Sequence, residues 1–164
     1  MIPLTAVSVS NRETNPWLAS VYAGVLTAIA AFATVLLFRA EIPVLYILAF
    51  LLIGAGPVLG YQIATGQLGS NWKPLIGGIL GFILLILGFI LWPILVGALS
   101  KEHSIGKLFL GSLIGIILGI VVFLIVASAM GQDPAWLGYG FTLLWAVWGG
   151  SCGAIMTAWR QPMS

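Results

Sequence analysis

Charge is what this chain has least of. Ten of its 164 residues are Lys, Arg, Asp or Glu, 6% of the whole, where a soluble domain carries roughly 25%. So few charges cannot cover the surface of a water-soluble globule, and a 61% hydrophobic content excludes intrinsic disorder, which needs the opposite composition. The single Cys152 rules out an internal disulfide and any multi-cysteine metal or iron–sulfur site. The single His103 is too little for a bis-histidine haem or a multi-ligand zinc site, so no metal and no cofactor is expected. A net charge of +2 gives no reason to expect a nucleic-acid partner. The first sixteen residues lack a basic segment followed by an apolar one, so no cleavable leader is expected.

What is there is apolar sequence in continuous runs, not the alternating ten-residue segments of a β-barrel. About 20 apolar residues cross a hydrocarbon core as a helix. The runs therefore predict an all-α integral membrane protein, a compact bundle of five transmembrane helices with short loops, over 17–38, 44–64, 75–99, 108–130 and 136–159. These form one domain over 17–160, between a polar tail at 1–16 and a short tail at 161–164. With five crossings, Arg12 and Lys73 fall on one side and Arg39, Lys101, Lys107 and Arg160 on the other. The excess of positive charge on the second side predicts an outside N-terminus and a cytoplasmic C-terminus. Trp17, Trp72 and Trp136 then share one interface, where an indole keeps its ring in lipid and its N–H near water.

Glycine is abundant, with 21 residues, and it falls four apart. Gly77 and Gly81, Gly111, Gly115 and Gly119, Gly149 and Gly153, and Gly56 and Gly60 each lie on one face of their helix. Such faces let another backbone approach closely, which matters in lipid because apolar burial gives helices little drive to associate. The expected use is packing within the bundle, with the Gly111/Gly115/Gly119 face also a candidate interface to a second copy or a larger membrane complex. Residues 73–84 align with 107–118 at an offset of 34, Lys and two glycines coinciding. On consecutive spans the two copies would have opposite polarity, as in the inverted repeats of transporters.

No assigned span carries Asp, Glu, Lys, Arg or His, so proton relays, voltage sensing and acid–base catalysis are not expected. His103, beside Lys101 and Glu102, reads as a solvated loop residue, and Cys152 as a small packing residue. Gly54, Gly56, Pro57, Gly60 and Gln62 form a candidate solute site, since a helix broken there would expose backbone groups to a solute. Trp145 and Trp148 share a helix face that suits a ring-bearing lipid, pigment or quinone, or packing against a glycine seam, the commoner outcome. The sequence therefore predicts a non-enzymatic scaffold or accessory subunit that associates with lipids and other helices through its glycine faces. The alternative is a small transporter or channel for an uncharged or lipid-like solute.

Overall fold

The computed structural model describes residues 15–82, 87–100, 102–131, 133 and 135–159. Arg12, Leu84, Lys101, Gln132, Pro134 and Arg160 lie outside them, with the two tails. Among the described residues the chain forms six helices: α1 (Pro16–Arg39), α2 (Pro43–Thr65), α3 (Lys73–Gly81), α4 (Gly88–Leu99), α5 (Ile105–Met130) and α6 (Trp136–Ala158). Four of them, α1, α2, α5 and α6, are long and apolar enough to cross a membrane, which makes this a multi-pass integral membrane protein. Local chemistry sets their ends. The Asn15 side chain accepts a hydrogen bond from the Trp17 N–H at 2.9 Å, with Pro16 in the first turn. Gly66 closes α2 with φ of 69°, a left-handed cap that a side chain would strain.

The largest departure from the sequence reading is at 75–99. In place of one continuous span there are two short helices, of 9 and 12 residues. At 1.5 Å per residue they reach only about 13 and 18 Å, short of a roughly 30 Å hydrocarbon core. They lie against each other as a hairpin. A Cβ on Gly77 would stand 2.9 Å from the Leu95 carbonyl oxygen, and one on Gly81 would stand 2.7 Å from the Trp92 Cα. Hydropathy cannot separate one long apolar helix from two half-length helices folded on each other, because both are apolar on every face.

Folding back here reverses the expected sidedness of everything downstream. Gly60 meets Ala23 and Gly153 meets Ala19, so the C-terminal ends of α2 and α6 lie beside the start of α1. Gly111 meets Ile155, which brings the start of α5 to the same end. The Tyr61 hydroxyl donates to Glu102 Oε2 at 2.9 Å, and Gln62 Nε2 donates to the Asn71 carbonyl at 2.6 Å. The loops on both sides of the hairpin are thus at this one end, here termed the Pro16 end. The other, the Arg39 end, holds the α1–α2 turn and the start of α6. Lys73 and Lys107 share the Pro16 end, so the charge partition drawn from five crossings does not hold. Trp136 lies at the Arg39 end, opposite Trp17 and Trp72. The α3 and α5 copies of the 73–84/107–118 likeness both start at the Pro16 end and run the same way, so they are not inverted.

A stripe of small residues organises the bundle. Ala19, Ala23, Thr27 and Ala31, each four apart on α1, are all buried. Ala23 lies between Gly60 of α2 and Gly153 of α6, and Thr27 between Gly56 and Gly149. Three helices therefore meet with almost no side chain between their backbones. The hairpin fills the space between α2 and α5, placing Phe82 and Trp92 beside Trp145 and Trp148 of α6.

This topology gives a direct test. Ser70→Cys and Ser104→Cys, introduced singly in sealed vesicles, are expected to react with a membrane-impermeant maleimide from the same side. Labelling from opposite sides would restore the five-crossing arrangement.

Candidate functional site

The Pro16 half of the molecule is closed. Gly54 and Gly78 face each other so closely that the space for a Cβ on either is taken by the other's carbonyl group. The Gly54 carbonyl also accepts the Trp92 indole N–H at 2.7 Å. Pro93, with no N–H, leaves the Phe89 carbonyl without its helical donor, and Ser112 Oγ donates to that oxygen at 2.7 Å instead. Ser112 Oγ in turn accepts the Trp148 indole N–H at 2.9 Å. Neighbouring helices thus satisfy backbone polarity that the hairpin exposes, as lipid requires.

The loop at the hairpin's base adds a second set of ties. His103 is buried, with 7% of its surface exposed, rather than solvated. Its Nε2 lies 3.0 Å from the Met156 carbonyl, and its Nδ1 lies 2.7 Å from Ser100 Oγ. A carbonyl only accepts, so in the neutral ring Nε2–H donates to Met156 and Nδ1 accepts from Ser100. The ring also meets Tyr61 edge-on at 4.9 Å. The loop, α2 and the last turn of α6 are joined through this one side chain. A void of about 20 Å³ beside it has room for about one water molecule and no larger solute.

The candidate solute residues belong to this closed half. α2 runs without interruption through Pro57, and Gly54, Gly56, Pro57, Gly60 and Gln62 are all buried against α1, the hairpin or the Asn71 loop. Gln62 lines the void of about 20 Å³ beside His103, and none of the five is among the residues lining the larger cavity at the Arg39 end. The Gly111/Gly115/Gly119 face is taken up inside the chain as well, by Ile155, by Trp148 and Ser151, and by Leu144 of α6. Trp148 is fully buried and Cys152 nearly so.

The Arg39 half is built differently. Past Ala31 the small-residue stripe ends, α2 has no glycine before Gly54, and bulky rings take over. Phe38 of α1, Tyr46 and Phe50 of α2 and Phe141 of α6 line a cavity of about 750 Å³ between the three helices. Its inner wall is aromatic: Phe50 and Phe141 stand 6.4 Å apart and both contact Trp145. Toward the outer end, Tyr46 meets Phe38 edge-on at 5.5 Å. Arg39 also lines the cavity, its Nη2 lying 3.6 Å from where a Cβ on Gly138 would be. Arg39 is in the last turn of α1, where a cation complements the negative end of the helix. Neither Arg39 nor Tyr46 has a hydrogen-bonding or ionic partner among the described residues. Thr34, the other polar group of the lining, is satisfied by its own helix at the Ala30 carbonyl.

None of the candidate solute or glycine-interface residues read from the sequence lines this cavity, and Arg39, which does, is named there only for its charge. The signal was present in what α1 and α2 do not have beyond Ala31, namely small residues four apart, and in the rings that replace them. No family model, curated protein or solved structure matches the chain.

Two stability outcomes follow from these contacts. Trp92→Phe and Trp145→Phe remove the same atoms, but only Trp92 has a hydrogen bond to lose, since Trp145 Nε1 is buried without a partner. Trp92→Phe is expected to destabilise by about 1 kcal/mol more than Trp145→Phe in detergent, and equal losses would refute the hairpin tie. Gly115→Leu is expected to lower the melting temperature independently of protein concentration, because its side chain would strike α6 of the same chain. A loss that depends on concentration would point to an interface between copies.

Proposed function

We propose that the protein is a small, non-enzymatic carrier for a lipid-like solute, which enters the cavity between α1, α2 and α6 at the Arg39 end. The cavity carries this reading. Its volume of about 750 Å³ falls in the roughly 300–1,000 Å³ range of small-molecule sites. Its walls are apolar and aromatic, and the half of the bundle beyond it is sealed by backbone contact. A hairpin of half-length helices ending inside the fold is also a device of carriers, since it ends helices where side chains from neighbours can accept the change. Among the described residues Lys73 and Lys107 lie at the Pro16 end and Arg39 at the other, so we place the Pro16 end on the cytoplasmic side.

Reconstitution tests the reading. The protein alone, in phosphatidylcholine vesicles with a trace of a lipid fluorescent in its acyl chain and quenchable from outside, is expected to speed exchange between leaflets several-fold. Gly138→Leu, which puts a side chain beside Val35 and Arg39 within the cavity, is expected to return the rate to that of protein-free vesicles. Wild-type vesicles no faster than empty ones would overturn the carrier reading.

A second reading, the accessory subunit, draws support from α5. This helix is the most apolar and the least buried of the four long ones. Its outer face, with Leu113, Ile117, Val121 and Leu124 exposed, suits lipid or a partner helix. Recovery of the protein in fixed stoichiometry with another membrane protein after mild solubilisation would favour it.

A further inference from the structure

The lining of the cavity says more about its occupant than that it is apolar. Arg39 and Tyr46 supply hydrogen-bond donors to an otherwise apolar wall and have no acceptor among the described residues. Such donors are unlike Thr34, whose hydroxyl is already bonded to Ala30. Arg39 is the last residue of α1, exposed at the end of a helix long and apolar enough to cross a membrane. The aromatic pair Phe50 and Phe141 lies at the opposite, inner end. The cavity is thus cationic outside and apolar inside, the order of charge and chain in an anionic amphiphile. Glu41, two residues away, is exposed and does not line the cavity, and no ion pair joins it to Arg39.

Resting on the reading of this cavity as a lipid site, we infer that its occupant is a lipid with an anionic headgroup, its carboxylate or phosphate held by the Arg39 guanidinium and the Tyr46 hydroxyl and its chain against Phe50 and Phe141. A guanidinium offers planar paired donors that match either oxyanion. A charge-assisted bond of this kind is stronger than a neutral one, and the expected preference over an uncharged analogue is about tenfold, or about 1.4 kcal/mol.

The test uses the purified full chain in detergent and four probes: oleate, its uncharged analogue oleyl alcohol, dioleoylphosphatidylglycerol and dioleoylphosphatidylcholine. Retained probe is counted by native mass spectrometry. Wild-type protein is expected to retain an anionic probe about tenfold better than the uncharged or zwitterionic one of the same chains. Preference for oleate names a fatty acid as the source, and preference for phosphatidylglycerol names a phospholipid. Arg39→Gln is expected to abolish the preference while still binding oleyl alcohol, and Arg39→Lys to keep part of it. Gly138→Leu is expected to reduce binding of all four. If wild-type protein retains oleyl alcohol as well as oleate, and phosphatidylcholine as well as phosphatidylglycerol, the headgroup inference fails while the cavity reading stands. If no probe is retained, or if Gly138→Leu changes nothing, both fail. An unchanged preference in Arg39→Gln, with an unchanged melting temperature, would also overturn the role given to Arg39.

Discussion

The backbones of α2 and α3 touch at Gly54 and Gly78, and the inner end of the bundle is arranged around that contact. Neither position has room for even a methyl group. Because the two chains meet there, the Gly54 carbonyl is within reach of the Trp92 indole, and the returning helix α4 is tied to α2 as well as to α3. In lipid this has particular weight. Helices gain little from burying apolar surface against each other when the solvent is itself apolar, so close van der Waals approach and interhelical hydrogen bonds must specify the arrangement. A short helix that does not cross the bilayer also leaves backbone groups at its inner end that only protein can satisfy. The contact at Gly54 and the Ser112 bond to the freed Phe89 carbonyl answer both needs at once.

Small residues at one end and rings at the other give the bundle its asymmetry. Where α1 presents Ala23 and Thr27 to paired glycines, three helices run in contact with almost no side chain between them. About two to three turns further, Phe38, Tyr46, Phe50 and Phe141 line the cavity between the same three helices. The cavity is therefore a consequence of side-chain size along α1, α2 and α6, and no helix break is needed to form it. The sealed end is the one that carries the hairpin and the His103 ties, so the rigid half of the molecule backs the open half.

Much of this was legible in the sequence, and the remainder was hidden for identifiable reasons. The scarcity of charge placed the chain in a membrane as several apolar helices. Spacing alone cannot tell which helix a glycine face meets, so Gly111, Gly115 and Gly119 read as packing within the bundle without naming α6, with an outer seam as the alternative. The run 75–99 hid a hairpin because a uniformly apolar segment has no periodicity from which to read a reversal. Sidedness failed with it, since one lost crossing inverts every later loop. His103 read as solvated because a loop flanked by Glu102 looks exposed, while its burial depends on α6 returning to the same end. Glycine spacing marks where helices close, and the cavity lies where they do not.

The likeness between 73–84 and 107–118 takes on a different meaning once both copies are seen to run in the same direction. In each, a glycine seats a tryptophan of the following helix: Gly81 lies against the Trp92 Cα and Gly115 against the Trp148 Cα. In each, the residue three before that glycine is beside the same tryptophan's N–H. Ser112 Oγ accepts from Trp148, and a Cβ on Gly78 would stand 3.4 Å from Trp92 Nε1. The two tryptophans then meet each other edge-on at 5.3 Å. What differs is the distance along the chain to the partner. Trp92 follows Gly81 by 11 residues, which leaves space for a turn and little else, whereas Trp148 follows Gly115 by 33, which allows the helix to finish its crossing and return. One packing pattern thus serves a half-depth hairpin and a full helical pair, and the length of the connection decides between them. Position 78 is glycine where position 112 is serine for a reason that lies outside the pattern: α2 occupies the space at Gly78, so the hydroxyl that supports Trp148 has its counterpart in the carbonyl of Gly54.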